Sequence, residues 1–176
     1  MSIAARIVAM AVLCALCAGC GGIPTFGLGK GGTSTVPNVP RERSVNPDRA
    51  IALINDYRKK KGRPPLQVDP ALSAIAAETA RELARRNKVT TELHTSEGIS
   101  KRFAAANYEA VRAAENLGAG YPTLVLVIEG WEKSSGHRKN LLNREFTRAG
   151  IGLALTDAGD LKSFWVLLLA KPDDAA

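Results

Sequence analysis

Near the C-terminal end the chain reads Ala149-Gly150-Ile151-Gly152-Leu153-Ala154-Leu155, then the turn formers Asp157-Ala158-Gly159-Asp160, then Phe164-Trp165-Val166-Leu167-Leu168-Leu169. Two short apolar runs separated by Asp and Gly predict an antiparallel hairpin. The second run carries no polar residue, so that strand is expected to be buried. What precedes the hairpin is mostly helical in pattern. Helices followed by a terminal hairpin indicate an α+β domain with helices packed on a small sheet.

Two helices upstream carry explicit start signals. Asn46-Pro47-Asp48 offers a capping side chain, a proline at the first helical position and an acid at the positive helix end. Ala50, Ile51, Ile54 and Tyr57 follow at helical spacing, Gly62 closes the helix, and Arg63-Pro64-Pro65 forbids its continuation. Asp69-Pro70 repeats the signal. Leu72, Ile75, Ala76, Thr79, Ala80, Leu83 and Ala84 then form one stripe at helical period, ending near Asn87. Residues 88–95 read as a loop, Gly98 to Ala106 as a shorter helix with Asn107 as terminator, and 136–142 as one or two turns. Residues 109–117 leave the choice open, a short strand being one reading. Pro122 can begin a helix, yet Leu124-Val125-Leu126-Val127-Ile128 suits a strand equally well.

The chain has 176 residues, 45% hydrophobic and 23% charged, which suits one soluble domain with appendages and excludes a multi-span membrane protein. Its net charge is +7; Arg6 is the only charged residue before Cys20, so a chain starting at Cys20 carries +6. The three cysteines are Cys14, Cys17 and Cys20. Nothing after Cys20 can form a disulfide, a thiolate metal site or a cysteine nucleophile, which excludes a disulfide-stapled scaffold. The uncharged run Ile7 to Gly19 is too short to span a bilayer, which takes about 20 apolar residues, but it fits a secretory signal. Cys17-Ala18-Gly19-Cys20 resembles the lipobox of bacterial lipoproteins, with Cys17 where leucine is usual. The expected organisation is a signal peptide over 1–19, lipidation at Cys20 as membrane anchor, a tether over 20–45, a domain over 46–172 and a tail over 173–176. Nine of the 25 residues in 21–45 are Gly or Pro, without apolar periodicity.

Chemistry has few places to sit. The only histidines are His94, in Leu93-His94-Thr95-Ser96-Glu97-Gly98, and His137, in Trp131-Glu132-Lys133-Ser134-Ser135-Gly136-His137-Arg138-Lys139-Asn140-Leu141-Leu142. Between them stands Ala114-Glu115-Asn116-Leu117-Gly118. Imidazole titrates near neutrality and is the commonest metal ligand. From spacing alone, surface or capping roles for both histidines remain the simpler reading. The basic run Arg58-Lys59-Lys60-Lys61-Gly62-Arg63 suits a nucleic acid or an anionic membrane, but cations at a helix C-terminus also suit the negative end of the dipole and stay solvated. The solvated reading is preferred, and no nucleic-acid partner is expected of an exported chain.

These residues carry a resemblance. Glu115-Asn116-Leu117, Trp131-x-x-Ser134-x-Gly136-His137-Arg138-x-Asn140-Leu141-Leu142 and Phe146-Thr147-Arg148-Ala149-Gly150-Ile151-Gly152 are similar to the signature of bacterial CAP (SCP-like) domains, relatives of cysteine-rich secretory and plant pathogenesis-related proteins. Asn55-x-x-Arg58, Leu66, Leu72, His94-x-x-x-Gly98, Arg102 and Tyr108 fit as well. The likeness covers about residues 48–170. It implies a three-layer α–β–α sandwich with a small antiparallel sheet, a helix over 122–133 and a central cleft lined by His94, Glu115 and His137, with Ser134 and Asn116 beside them. Many members have a fourth cleft Glu three residues after the Trp; here that position is Ser134, and Glu132 is out of register.

Three chemistries follow from such a cleft. Two imidazoles and one carboxylate can form a facial set for Zn²⁺, His94, His137 and Glu115 being the ligands, and a metal-bound water would give a metal-dependent hydrolase of peptide, ester or wall substrates. Without metal, the same groups can grip a small ligand, lipid-like or with a polar head group. Ser134 or Ser135 with His137 and Glu115 can also be drawn as a nucleophile set, but hydroxyls before a Gly-His turn usually cap helices and no Gly-x-Ser-x-Gly elbow is present. The resemblance, with its associations of lipid or sterol binding and cell-wall contact, favours binding over catalysis. The expectation is an exported envelope protein with a non-catalytic binding cleft. The metal-dependent hydrolase and the cell-wall contact module are its alternatives.

Overall fold

The computed structural model describes residues 40–89 and 91–173. Cys20, the signal segment and the tether as far as residue 39 lie outside the described residues. Helix α1 spans Pro47–Lys60 and α2 spans Pro70–Arg86. Both start as their sequences dictate: the Asn46 side chain accepts from the Arg49 amide, and the Asp69 side chain accepts from the amides of Ala71 and Leu72. Asn87 ends α2 in the left-handed conformation at φ 48°. A single 3-10 turn, Glu92–His94, lies in the expected loop. Helix α3 covers Ser96–Ala105, two residues earlier than expected, because the Thr95 hydroxyl caps it by accepting from the Gly98 amide. Helix α4 covers Leu124–Lys133 and α5 covers Ser135–Leu141.

The sheet has four strands: β1 (Gln67–Val68), β2 (Ala110–Ala119), β3 (Arg148–Leu155) and β4 (Ser163–Pro172), in the order β1-β3-β4-β2. The hairpin β3–β4 is antiparallel, as is β4–β2, whereas the two-residue β1 joins β3 in parallel. The sheet is therefore mixed, where a wholly antiparallel one was expected. The difference is confined to this short edge, which no sequence periodicity can announce. The ambiguous stretch 109–117 is a ten-residue strand, β2, lying at the sheet's other edge.

Strand β4 explains the layering. Phe164, Val166, Leu168 and Ala170 pack into one apolar cluster with Leu72, Ile75, Ala80 and Leu83 of α2 and Ile99 and Phe103 of α3. Trp165, Leu167 and Leu169 pack into a second cluster with Ile51 and Ile54 of α1, Leu124, Val127 and Trp131 of α4, and Leu141 of α5. A continuous apolar strand is thus buried on both faces by period-two alternation. The result is an α–β–α sandwich with α2 and α3 on one side and α1, α4 and α5 on the other. The entry to α1 is already held: the Glu42 amide donates to the Pro122 carbonyl, and Val45 packs against the second cluster.

Candidate functional site

Strand alternation fixes where Glu115 and Asn116 point. Ala113 and Leu117 belong to the α2/α3 cluster and Ala114 to the other, so Glu115 faces α2 and α3, while Asn116 faces α4 and α5. The Glu115 side chain has no exposed surface. A buried carboxylate is tolerable only when it is paired, and here both oxygens are engaged. Oε2 meets Nδ1 of His94 at 2.8 Å, and Oε1 accepts from Arg102 Nη1 at 2.8 Å. Arg102, on α3, also donates to the Thr79 hydroxyl (2.6 Å), to the Leu93 carbonyl (2.8 Å) and, through Nε, to the Gly98 carbonyl (3.2 Å). Thr79, read from sequence as part of an apolar stripe, is instead a polar anchor inside the α2 face; its hydroxyl donates to the Ile75 carbonyl.

On the other face, the fully buried Asn116 donates to the backbone carbonyl of His137 at 3.1 Å and accepts from Asn140 Nδ2 at 3.0 Å. Asn140 also reaches the Glu115 carbonyl at 3.4 Å. Asn116 therefore clamps α5 to the β2 edge, a positioning role rather than a ligand contact. His94 arrives from the α2/α3 layer and His137 from the α4/α5 layer, and they are near enough to interact. Burial, and secondarily the charge of His94, push the His137 pKa down to about 4. The Nδ1 of His137 is buried without a hydrogen-bond partner among the described residues.

The structure thus joins His94 to Glu115 directly and ties the His137 backbone to the neighbouring Asn116, while Nδ1 of the His137 ring meets no partner among the described residues. Ser134 sits at the junction of α4 and α5, where its carbonyl accepts from the Arg138 amide. Its side chain makes no capping bond. Of the donor set expected for Zn²⁺, Glu115 is hydrogen-bonded through both oxygens, to His94 and Arg102. Among the described residues no group of three or more His, Cys, Asp or Glu side chains is placed to hold a metal ion.

Three further side chains bind backbone carbonyls, and Arg58 departs from its sequence reading in doing so. Arg58, read as a solvated cation, is fully buried and donates to the carbonyls of Pro64, Leu141 and Asn143. It ties the end of α1 to the end of α5. Arg138 pairs with no acid, donating instead to the Glu132 and Lys133 carbonyls at the end of α4. Trp131 packs beneath its helix, with Nε1 donating to the Leu117 carbonyl at 2.8 Å. Arginines that serve backbone carbonyls leave no periodic trace in a sequence, which is why Arg58 and Arg102 were not read this way.

Comparison with known proteins places this geometry. The profile of the cysteine-rich secretory protein family (CAP) matches residues 51–169. Among curated proteins, the uncharacterized protein YkwD of Bacillus subtilis is 31% identical over 120 residues, covering 68% of this chain and 47% of its own length. The uncharacterized membrane protein YlbC of the same organism is 25% identical over 111 residues, covering 63% of this chain and 32% of its own length. The chain therefore spans about half or less of these relatives. Among solved structures, an extracellular protein containing an SCP domain from Bacillus anthracis superposes with a TM-score of 0.60 at 26% identity, over 71% of this chain and 40% of that one. An outer surface protein of Borrelia burgdorferi shares the fold with a TM-score of 0.60 at 23% identity, over 74% of this chain and 98% of that one.

Proposed function

The chain belongs to the cysteine-rich secretory protein (CAP) family, and from that premise we propose that it is an exported, lipid-anchored binding protein of the bacterial envelope. Its cleft, at the β2 edge between His94 and His137, holds a small ligand bearing a polar head group, and it performs no catalysis. Export and anchoring at Cys20 rest on the lipobox-like Cys17-Ala18-Gly19-Cys20 and on the extracellular and outer-surface descriptions of the similar solved proteins.

One observation carries the binding reading. Glu115 is engaged through both oxygens by His94 and Arg102, so it already serves as the partner that orients the His94 ring. Because Nδ1 of His94 meets Glu115, its Nε2 is left for a partner. His137, with its depressed pKa, stays neutral, and one of its ring nitrogens is unmatched. A neutral His137 imidazole with an open hydrogen-bonding position suits a polar ligand. The wall-contact module would need no cleft at all.

The test is calorimetric titration of the full chain with monomeric dihexanoyl phosphatidylglycerol as a head-group probe. Saturable binding is expected, weakened about tenfold or more in His94→Ala and His137→Ala, since losing one buried polar contact is worth about 1–3 kcal/mol. No binding, or equal binding by all three proteins, contradicts the reading. Zinc binding lost in both variants would favour the hydrolase, and retention of purified sacculi by Glu115→Ala would favour wall contact.

A further inference from the structure

A cavity of about 440 Å³ opens between α2 and α3, on the side of Glu115 away from His137. Ala74, Ile75, Leu93, Ala105 and Ala106 form its walls, and Thr79 and Arg102 also line it. Its size lies within the range of small-molecule sites. The polar lining is not isolated, because Arg102, which also donates to Thr79, holds Glu115, and Glu115 meets His94. Arg102 has five N–H donors. Four are matched, to Gly98, Thr79, Glu115 and Leu93, and the fifth has no acceptor among the described residues. The guanidinium is largely covered, its side chain being 15% exposed.

The geometry points to a second ligand site in this cavity, for a small apolar molecule carrying one uncharged hydrogen-bond acceptor such as a ketone or ester carbonyl. The apolar walls take the hydrocarbon, and the spare N–H of Arg102 takes the acceptor. The charge must be nil because Glu115 already balances Arg102. Glu78 and Glu82 at the cavity mouth are likewise already paired, with Arg81, Arg85 and Arg86. A ligand carboxylate would face two acids, Glu78 and Glu82, while the two cations that line the cavity, Arg85 and Arg102, are already paired. Because the occupant touches Arg102, it acts on the Arg102–Glu115–His94 chain, so filling this cavity is felt at His94 on the other side of Glu115. This site does not depend on what the His94–His137 cleft binds.

The test is an NMR titration of the full chain with 2-octanone and, separately, with octanoate at pH 7. With 2-octanone, saturable shifts are expected in the amides of Thr79, Ala105 and Ala106 and in the His94 imidazole. Octanoate should bind about tenfold more weakly or worse, since like-charge juxtaposition is unfavourable by more than the 1.4 kcal/mol that a factor of ten represents. Ala105 and Ala74 are exposed, so Ala105→Trp and Ala74→Phe plug the cavity without touching the core. Both variants should lose the cavity and His94 shifts together. Absence of saturable shifts, or shifts that persist in both variants, overturns the site. Octanoate binding as tightly as octanone overturns the acceptor assignment. Cavity shifts without any response at His94 overturn the coupling.

Discussion

His137 shows how a single side chain records its surroundings. Burial comes first among the causes that depress its pKa to about 4, and the charge of His94 comes second. An unfolded imidazole titrates near 6.5. Between about pH 6.5 and 4 the unfolded chain therefore binds a proton that the folded chain refuses, so this contribution to stability is fully present above 6.5 and is lost as pH falls towards 4. Chemical denaturation at pH 7 and pH 4.5 should show a loss of the order of 2–3 kcal/mol from this group. In His137→Gln that component should vanish and the pH dependence should flatten accordingly. An unchanged slope in the variant would mean that His137 is not held neutral. Other side chains were less legible. The Glu-Asn pair at 115–116 carries a motif, but which layer each residue faces depends on strand register. Arg102 and Thr79 become polar anchors only once α2 and α3 are stacked.

At the scale of elements, legibility followed local chemistry. Helices α1 and α2 announce themselves through Asn46-Pro47 and Asp69-Pro70, whose capping bonds the structure contains. Strand β2 does not, because Ala113-Ala114-Glu115-Asn116 has no strand propensity; its conformation comes from antiparallel pairing with β4 from Ala110↔Pro172 to Ala119↔Phe164. The run 124–128 becomes helix α4 because the Thr123 hydroxyl caps it by accepting from the Leu126 amide. Helix α2 lies so close to β3 that Gly152 has no room for a side chain: a Cβ there would overlap the backbone at Ala76 and Ala77. Gly152→Ala should destabilise the fold by about 1–3 kcal/mol through overpacking. Gly136 in α5 faces open space, and Gly136→Ala should stabilise by about 0.5–1 kcal/mol through chain entropy. Urea unfolding of both variants checks the pair, and a reversed order would contradict the packing described.

The whole molecule is a sheet covered on both faces whose edge strand β2 gathers residues from both helical layers. The sandwich was legible because the CAP signature and the two-sided apolar run of β4 point the same way. The pairing of His94 with Glu115 followed only from the family resemblance, since 21 residues separate them in sequence and no local rule spans such a distance. That the central carboxylate is shared between His94 and Arg102 was not legible at all. The most direct measurement is ¹⁵N NMR of the two imidazoles in the full chain across pH 3.5–8. The account expects a His94 Nδ1–H hydrogen-bonded to Glu115, sensitive to Glu115→Gln, and a His137 ring that remains neutral down to about pH 4. A His137 ring titrating near pH 6.5, or a His94 Nδ1–H indifferent to Glu115→Gln, would contradict it.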